Sequence, residues 1–349
     1  MCNIAGYVGT KQAAPILMDM ILKQEGLAGG YYTGISTIHE GKLYYARITG
    51  DMQRLEESCR VSQLPGTVGL LHSRSKSGGD DRWAHPFIGA DPDGRERTAY
   101  VANGAVGCFK DEKPRQDAIA RELDAQGYHY TSRLHIDTPR YQSLADGCKV
   151  HISDVMCQLI LRHMHAGLAP DQAMAQGFCD MPSEIVGLML ALDDPNCIFY
   201  SAFNMPMTLG MADHGTYLAS AAIAMPDDAR YVQQLPTNAS GRVYAAHYEI
   251  TPMPAPPLPV PPIDAHLLHR AYQVVADALT AGKKTRKQLH QLVLPLFDGA
   301  PCVPSSRALY EVLYALKREG RLVIETQRVP GALDHLTAPE FVLSLRDKM

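Results

Sequence analysis

The sequence predicts an α+β protein with a second, smaller domain at its C-terminal side. Two β-prone segments at 31–39 and 42–48 flank a Glu40-Gly41 turn, which is a hairpin signal. Strand and helix patterns then follow one another up to residue 250, without the strict strand–helix alternation of a doubly wound sheet. Seven of the eleven residues at 252–262 are proline, which indicates an extended linker. We therefore expect domains at 2–251 and 263–349.

The elements of the first domain are predicted from the spacing of their apolar residues. The first helix, for example, carries Ile16, Leu17, Met20 and Ile21 on one face. The predicted helices are 13–24, 119–126 and 155–165. The predicted strands are 4–8, 31–39, 42–48, 68–72, 98–102, 198–202, 207–211, 217–221 and 242–250.

The region after the linker differs in its pattern of apolar residues. Helical patterns at 264–281, 285–294 and 305–319 precede two β-prone segments at 322–326 and 341–345. Thr285 is the predicted cap of the second helix, Ser305 or Ser306 caps the third, and Gly320 ends it. Three helices followed by a hairpin predict a small winged helix-turn-helix domain.

Composition excludes several classes of protein. A net charge of −4 gives no reason to expect that the whole chain binds nucleic acid or a membrane surface. No run of about 18 apolar residues occurs, so no membrane-spanning helix is expected. The eight cysteines are scattered without the spacing of a zinc or redox motif, so we expect reduced thiols in a cytoplasmic protein and no metal or other cofactor.

Cys2 lies directly behind the initiator methionine and directly before the first predicted strand. A small residue at this place normally permits removal of Met1, which would make Cys2 N-terminal. Its α-amine, with a pKa of about 7.7–8.0, could then accept the proton of its own thiol. The alternative is a buried structural cysteine, and position alone does not decide between the two.

Other polar residues follow predicted strands. Asn103 and Gly104 could supply a side-chain amide and a backbone N–H to an oxyanion, or could form an ordinary turn. Arg74 could hold a carboxylate bidentately, or be a solvated charge at the end of a strand. Asp154 could bind an ammonium group, or cap a helix together with Ser153. Taken together, these groups suit an amino acid with a side-chain carbonyl, which describes an amidase for glutamine.

The chain also resembles the class II glutamine amidotransferases, in motifs that keep the family's order across residues 2–250. MCNIAGYVG is similar to the family's MCGIVGYIG, and GLLHSRSKSGG is similar to GxxHTRWATHG. RWAHPF resembles NAHPH, YVANGAVGCF resembles VVHNGIIEN, and HISDVMCQLI resembles an SD segment that begins a helix. MPMTLGMADHGTYLASAAIAM is similar to SPLVIGLGxxxxFxASDxxAL. The most similar branch is the glutaminase domain of glucosamine-6-phosphate synthases, here without the sugar-isomerase domains.

The resemblance implies a fold and a set of roles. The fold would be the four-layer αββα sandwich of the N-terminal-nucleophile hydrolases. Cys2 would be the nucleophile that forms a γ-glutamyl thioester, and Asn103 with Gly104 would form the oxyanion hole. For the substrate, the matching positions are Arg74 for the α-carboxylate, Asp154 for the α-ammonium, Ser77 in place of a family threonine, and His85, which would order the loops of the site.

The chain departs from the family pattern at several positions. Asn3 replaces the glycine that follows the nucleophile, and Gly29 replaces an arginine. Ser75 replaces a tryptophan and Gly78 a histidine in the loop after Arg74. These losses put glutamine affinity, or the coupling of ammonia release to an acceptor, in question, but leave the nucleophile and oxyanion hole in place.

The sequence leaves the partners open. No acceptor site for ammonia is visible in the sequence, so we expect a separate synthase subunit. The resemblance suggests that this synthase is related to amino-sugar synthesis. Residues 263–349 carry twelve Lys and Arg against nine Asp and Glu, a thin excess for DNA binding. Docking or homo-oligomerisation through the C-terminal domain is therefore favoured over DNA. The alternative functions are a non-catalytic glutamine-sensing regulator acting through the winged helix, and a related amide hydrolase.

Overall fold

The computed structural model describes residues 2–76, 78–105, 107–254, 263–298 and 304–346. Ser77 and most of the predicted linker, 255–262, lie outside the described residues. The helices are Ala13–Leu22 (α1), Met52–Cys59 (α2), Lys113–Ala125 (α3), Ile152–His165 (α4), Pro170–Asp180 (α5), Ala265–Thr280 (α6), Arg286–Val293 (α7) and Ser305–Arg318 (α8).

The strands alternate with these helices along the chain. They are Asn3–Gly9 (β1), Tyr32–His39 (β2), Lys42–Thr49 (β3), Val68–Arg74 (β4), Phe87–Ala90 (β5), Glu96–Ala105 (β6), Gln142–Ser143 (β7), Lys149–Val150 (β8), Glu184–Ala191 (β9), Ile198–Ala202 (β10), Thr208–Ala212 (β11), Gly215–Ala219 (β12), Arg230–Gln234 (β13), Ala239–Val243 (β14), Tyr248–Pro252 (β15), Lys284–Thr285 (β16), Leu322–Pro330 (β17) and Thr337–Leu345 (β18).

Two antiparallel sheets form the framework of the N-terminal part. One has the order β13-β11-β12-β1-β4-β2-β3 and the other the order β15-β14-β10-β9-β6-β5. Strand β1 lies inside the first sheet, where Ala5 is opposite Ala219 of β12 and Leu71 of β4. Because β1 is paired on both sides, the chain that follows Cys2 is held from its first residues.

The two sheets pack face to face between two layers of helices. Ile4 of β1 and Leu70 of β4 share one apolar core with Leu188 of β9 and Ile198 of β10. On the other face of the first sheet, side chains of β1 such as Tyr7 pack with α1 and α2. Helices α3, α4 and α5 cover the second sheet in the same way. The alternation of side chains along β1 thus builds two cores at once, and the layers follow the order αββα.

Most strands of the first domain are confirmed, with instructive differences. The predicted strand 242–250 is wrong, because Tyr244 N–H donates to His247 O (2.9 Å) in a turn that separates β14 from β15. Strand β9 was not predicted, although it is central to its sheet. It is buried on both faces apart from Glu184, so its sequence shows no alternation of apolar and polar residues.

The C-terminal part contains α6, α7 and α8 with a three-stranded sheet of order β16-β18-β17. Thr285 caps α7 as expected, and Gln288 returns the bond in a capping box. The predicted cap of α8 is wrong, because Pro304 holds that position and makes no side-chain bond. Assignment of this unit to the winged-helix class stays a prediction.

Two further observations concern the chain as a whole. Among the described residues, no helix combines the length and the apolar character needed to cross a bilayer. Cys2, Cys59, Cys148, Cys157, Cys179 and Cys197 are free thiols. Cys108 is disulfide-bonded, so the expectation that every cysteine is reduced is wrong at that residue.

Candidate active site

Cys2 and Asn103 meet where the two sheets come together. The backbone nitrogen of Cys2 donates to Asn103 Oδ1 over 2.8 Å. Asn103 is fully buried in β6, and its Nδ2 has no hydrogen-bond partner among the described residues. The N–H of Cys2 can donate only to an acceptor, so the oxygen of the Asn103 amide must face it. The NH₂ group of Asn103 is then a buried donor beside Cys2.

Gly104 follows in a backbone conformation that requires glycine. Its φ is +149°, and a Cβ at this position would collide with the carbonyl oxygen of Glu184 in β9. The turn reading is therefore wrong for Asn103 and Gly104, since both belong to strand β6 and pair with β9. Whether the N–H of Gly104 contributes to an oxyanion hole stays a prediction.

Arg74 ends strand β4 and is only 1% exposed, so its reading as a solvated charge is wrong. Nη2 donates to Gly78 O (3.1 Å) and to the hydroxyl of Tyr141 (3.2 Å). The guanidinium also lies over the ring of Tyr32, with Cζ 4.8 Å from the centroid. Aromatic faces and fixed acceptors hold the guanidinium plane in one orientation, as bidentate recognition requires.

Asp154 is fully buried in the first turn of α4. Its Oδ2 accepts from the N–H (2.8 Å) and hydroxyl (2.7 Å) of Ser132, while burial raises the pKa of Asp154 to about 6. The capping alternative is wrong, because the N-cap is His151, whose Nδ1 accepts from Ser153 N–H.

The connection between Asp154 and Arg74 passes through Trp83 and Ser132. Trp83 Nε1 donates to Ser132 O (2.6 Å), and the Trp83 ring centroid lies 5.6 Å from Arg74 Cζ. The two predicted substrate-binding charges therefore border one buried network.

His85 lies in a buried histidine cluster behind Arg74. Its ring centroid is 3.9 Å from that of His72 and 5.4 Å from that of His151. Burial lowers the pKa of His85 well below its usual value, and the neighbouring histidines and Arg74 add to this. Burial also lowers the pKa of His72 to about 3, so its neutral ring donates through Nε2 to Ala102 O (3.0 Å). The cluster thus supports the residue that precedes Asn103.

The departures from the family pattern at Asn3 and Gly29 have structural consequences. Asn3 is buried, and its Nδ2 donates to Gln24 O (2.8 Å) and to Ala28 O. Asn3 therefore attaches β1 to the loop that joins α1 to β2. In that loop Gly29 has a φ of +90°, and a Cβ would lie 2.6 Å from Ser73 Oγ. The position that holds arginine in the family has no space for a side chain here.

Several residues of this neighbourhood were not predicted. Trp83 is the only tryptophan of the chain and lies two residues before His85, which is a signal that could have been used. His72 stands two residues before Arg74, on the same face of β4. Ser132 and Tyr141 come from an irregular region whose sequence shows no pattern that points to the site.

One group among the described residues could hold a metal ion. His135, Asp146 and Cys148 offer ligand atoms within 4.8 Å of one another. Arg133 already pairs with Asp146 (2.7 Å), and a cation would compete with this guanidinium. The group lies on the β7–β8 hairpin region and is separate from the contacts of Cys2 described above.

Sequence comparison matches the chain to isomerizing glutamine–fructose-6-phosphate aminotransferases. The protein from Bartonella henselae is 26% identical over 227 residues, which are 64% of this chain and 32% of that protein. The protein from Mesorhizobium japonicum is 28% identical over the same shares of both chains. The chain spans about a third of the length of these relatives. No family model matches it.

Among solved structures, glutamine phosphoribosylpyrophosphate amidotransferase from B. subtilis, in complex with ADP and GMP, matches with a TM-score of 0.57. The match covers 93% of this chain and 66% of that chain at 13% identity, so it establishes a shared fold. Together with the sequence matches, it confirms the predicted resemblance to class II glutamine amidotransferases.

Proposed function

We propose that this chain is a class II glutamine amidotransferase that hydrolyses L-glutamine to glutamate and ammonia. The observation that carries the proposal is the contact between the Cys2 nitrogen and Asn103 Oδ1 (2.8 Å). Once Met1 is removed, this nitrogen is the α-amine, so the base and the oxyanion amide are held together next to the thiol. The glutamine-dependent relatives named above support glutamine as the substrate.

In the proposed reaction, the α-amine of Cys2 accepts the thiol proton, and the sulfur attacks the side-chain carbonyl of glutamine. Asn103 Nδ2 donates to the oxyanion that develops on the carbonyl oxygen. The carbon–nitrogen bond breaks, ammonia leaves with the proton held by the amine, and a γ-glutamyl thioester remains. Water, deprotonated by the same amine, hydrolyses the thioester to glutamate and restores Cys2.

Substrate binding is assigned to the charged residues of the neighbouring network. Arg74 would hold the α-carboxylate of glutamine, and Asp154 its α-ammonium. The pKa of about 6 for buried Asp154 suits this role, because an ammonium beside the carboxylate would favour its charged form. His85 would order the loops of the glutamine site, and Ser77 would contribute to substrate binding.

We assign the acceptor of ammonia to a separate synthase subunit. We further expect homo-oligomerisation through the C-terminal unit, and we propose the cytoplasm as the compartment. DNA is not favoured as a partner. Helix α8, the predicted recognition helix, is buried at Ala308, Leu309, Leu313 and Leu316 in an apolar core that also contains Ile223. The buried part of this helix is not available to enter a DNA groove.

Glutamate release from L-glutamine tests the proposal. Intact mass should first show that Met1 is absent, since a retained methionine would block the α-amine. The wild type should release glutamate, Cys2→Ala should reduce release to background, and Cys59→Ala, at an exposed free thiol, should match the wild type. Equal background rates for all three, also in the presence of candidate synthases, would refute catalysis. Glutamine binding without turnover would favour the sensor, and turnover of another amide alone would favour the related hydrolase.

A further inference from the structure

The β17–β18 hairpin of the C-terminal unit lies against the loop that Asn3 attaches to β1. Phe341 of β18 donates its N–H to Gly26 O over 2.7 Å, and a Cβ on Gly26 would overlap the ring of Phe341. A Cβ on Gly30 would lie 2.6 Å from Pro339 Cδ. The hairpin therefore packs directly on the backbone of this loop.

The tip of the same hairpin reaches a second loop, the one that follows Arg74. Lys76 Nζ in this loop donates to Gly331 O at the tip over 3.1 Å. Leu333, two residues further along the tip, lines a cavity of about 430 Å³ together with Gly79 of the loop. The tip therefore borders the loop after Arg74 through both a hydrogen bond and a shared cavity.

An ion pair fixes the hairpin to the N-terminal part beside these contacts. Arg328 Nη2 of β17 lies 2.6 Å from Asp51 Oδ2, and the Asp51 side chain is only 5% exposed. Asp51 also caps α2, where it accepts from the N–H of Arg54 (3.0 Å). Because this carboxylate is buried, removal of Arg328 would leave it without its ion-pair partner. The hairpin thus carries the charge that Asp51 needs.

The inner side of the loop after Arg74 holds the guanidinium of Arg74. Arg74 Nη2 donates to Gly78 O, and the hydroxyl of Tyr32 donates to Gly79 O, both over 3.1 Å. Gly78 and Gly79 have φ values of +88° and +81°, which residues with a Cβ rarely adopt. Because a carbonyl of this loop is an acceptor for Arg74, a displacement of the loop would change the orientation of the guanidinium.

We propose that the β17–β18 hairpin positions Arg74 for the α-carboxylate of L-glutamine. It does so by holding the loop after Arg74, and Arg328 and Leu333 are therefore positioning residues that do not touch the substrate. The proposal rests on the proposed function and adds to it that the C-terminal unit contributes to substrate binding. The resemblance does not imply this role, because the matching motifs end near residue 250.

Arg328→Ala and Leu333→Ala test the proposal in the full-length chain. L-glutamine is compared with 4-aminobutanamide, which keeps the side-chain amide and the ammonium group but lacks the α-carboxylate. We expect the ratio of kcat/KM for glutamine to kcat/KM for this analogue to fall about tenfold in both variants, through a higher KM for glutamine. A merely structural role would lower Tm and the active fraction, which leaves the ratio unchanged.

Two controls accompany these variants. Arg328→Lys keeps the charge beside Asp51 and should restore most of the ratio. Glu325→Ala breaks an ion pair on the same strand, with Lys283 (2.6 Å), that lies within the C-terminal unit, so the ratio should stay at the wild-type value. Leu333 is 48% exposed, so Leu333→Ala should fold even if Arg328→Ala does not.

Calorimetric titration with L-glutamine in a Cys2→Ala background separates this inference from the proposed function. There, Arg328→Ala and Leu333→Ala should each raise the Kd about tenfold. An active wild type whose KM and Kd for glutamine neither variant changes would overturn the role of the hairpin alone, whether or not the analogue binds. An inactive wild type whose Cys2→Ala form loses glutamine affinity through these variants would overturn the hydrolase but keep the role of the hairpin. Neither turnover nor binding would overturn both.

Discussion

Replacing Gly29 with alanine is expected to destabilise the protein by about 2–5 kcal/mol, through two separable costs. The φ of +90° is a left-handed conformation, which costs an alanine about 1–2 kcal/mol. The new Cβ would also lie 2.6 Å from Ser73 Oγ and 2.8 Å from Ser73 O, and such overpacking costs about 1–3 kcal/mol.

Ser73 cannot easily relieve this contact by rotating. Its hydroxyl donates to Glu25 Oε1 (2.7 Å) and accepts from Gly30 N–H (2.7 Å). A different rotamer would leave the buried Glu25 without that donor, and the collision with Ser73 O would remain. The contact cost should therefore persist after relaxation.

Thermal unfolding of Gly29→Ala and Gly167→Ala measures the two costs separately. Gly167 has a φ of +94°, and nothing lies within 4 Å of its Cβ position, so it reports the conformational cost alone. We expect Gly167→Ala to lower Tm by a few degrees and Gly29→Ala by roughly 5–15 °C. Equal losses for the two variants would refute the argument that this loop has no space for a side chain.

Two further predictions concern Asn103 and the buried Glu25. Asn103→Ala should lower kcat for glutamine about 10²–10³-fold, because the buried Nδ2 donor is lost, and a kcat within threefold of wild type would contradict an oxyanion role. Burial raises the pKa of Glu25 to about 7 from its ordinary 4.5, so the folded state binds the proton more tightly and stability declines as pH rises through 7. Glu25→Gln should therefore gain stability relative to wild type between pH 5 and pH 8, by at most about 3 kcal/mol in urea unfolding. Free energies of unfolding that differ by the same amount at every pH in this range would contradict the prediction.

The strands next to Cys2 could be predicted where a continuous apolar run or an explicit turn marks them. The strand at 68–72 was predicted from its apolar run, and the observed strand continues to Arg74. The β2–β3 hairpin was predicted from Glu40-Gly41, whose φ values are both positive. Glu184–Ala191 is buried on both faces, as β4 is, so no period of two remains in its sequence, and its apolar run alone was not recognised as a strand.

For the site, the sequence indicated which residues come together, but not how deeply they are buried or which residues surround them. Cys2 and Asn103 were proposed together, and they are in contact. The burial of Arg74 could not be anticipated, because Trp83 and Tyr141 reach it from separate parts of the chain. The packing of the Phe341 ring on Gly26 could not be predicted either. In the sequence, a glycine that contacts a ring cannot be distinguished from a glycine in an ordinary turn.

The position of the C-terminal unit, which starts at residue 263, has a consequence for the order of events during synthesis. Strand β1 can pair with β4 soon after it leaves the ribosome, but its other neighbour, β12, ends at Ala219, and the covering unit is made later still. Until then, β1 lacks one of its two neighbouring strands, and the residues around Cys2 would lie on an unfinished surface that an enzyme removing methionine could reach.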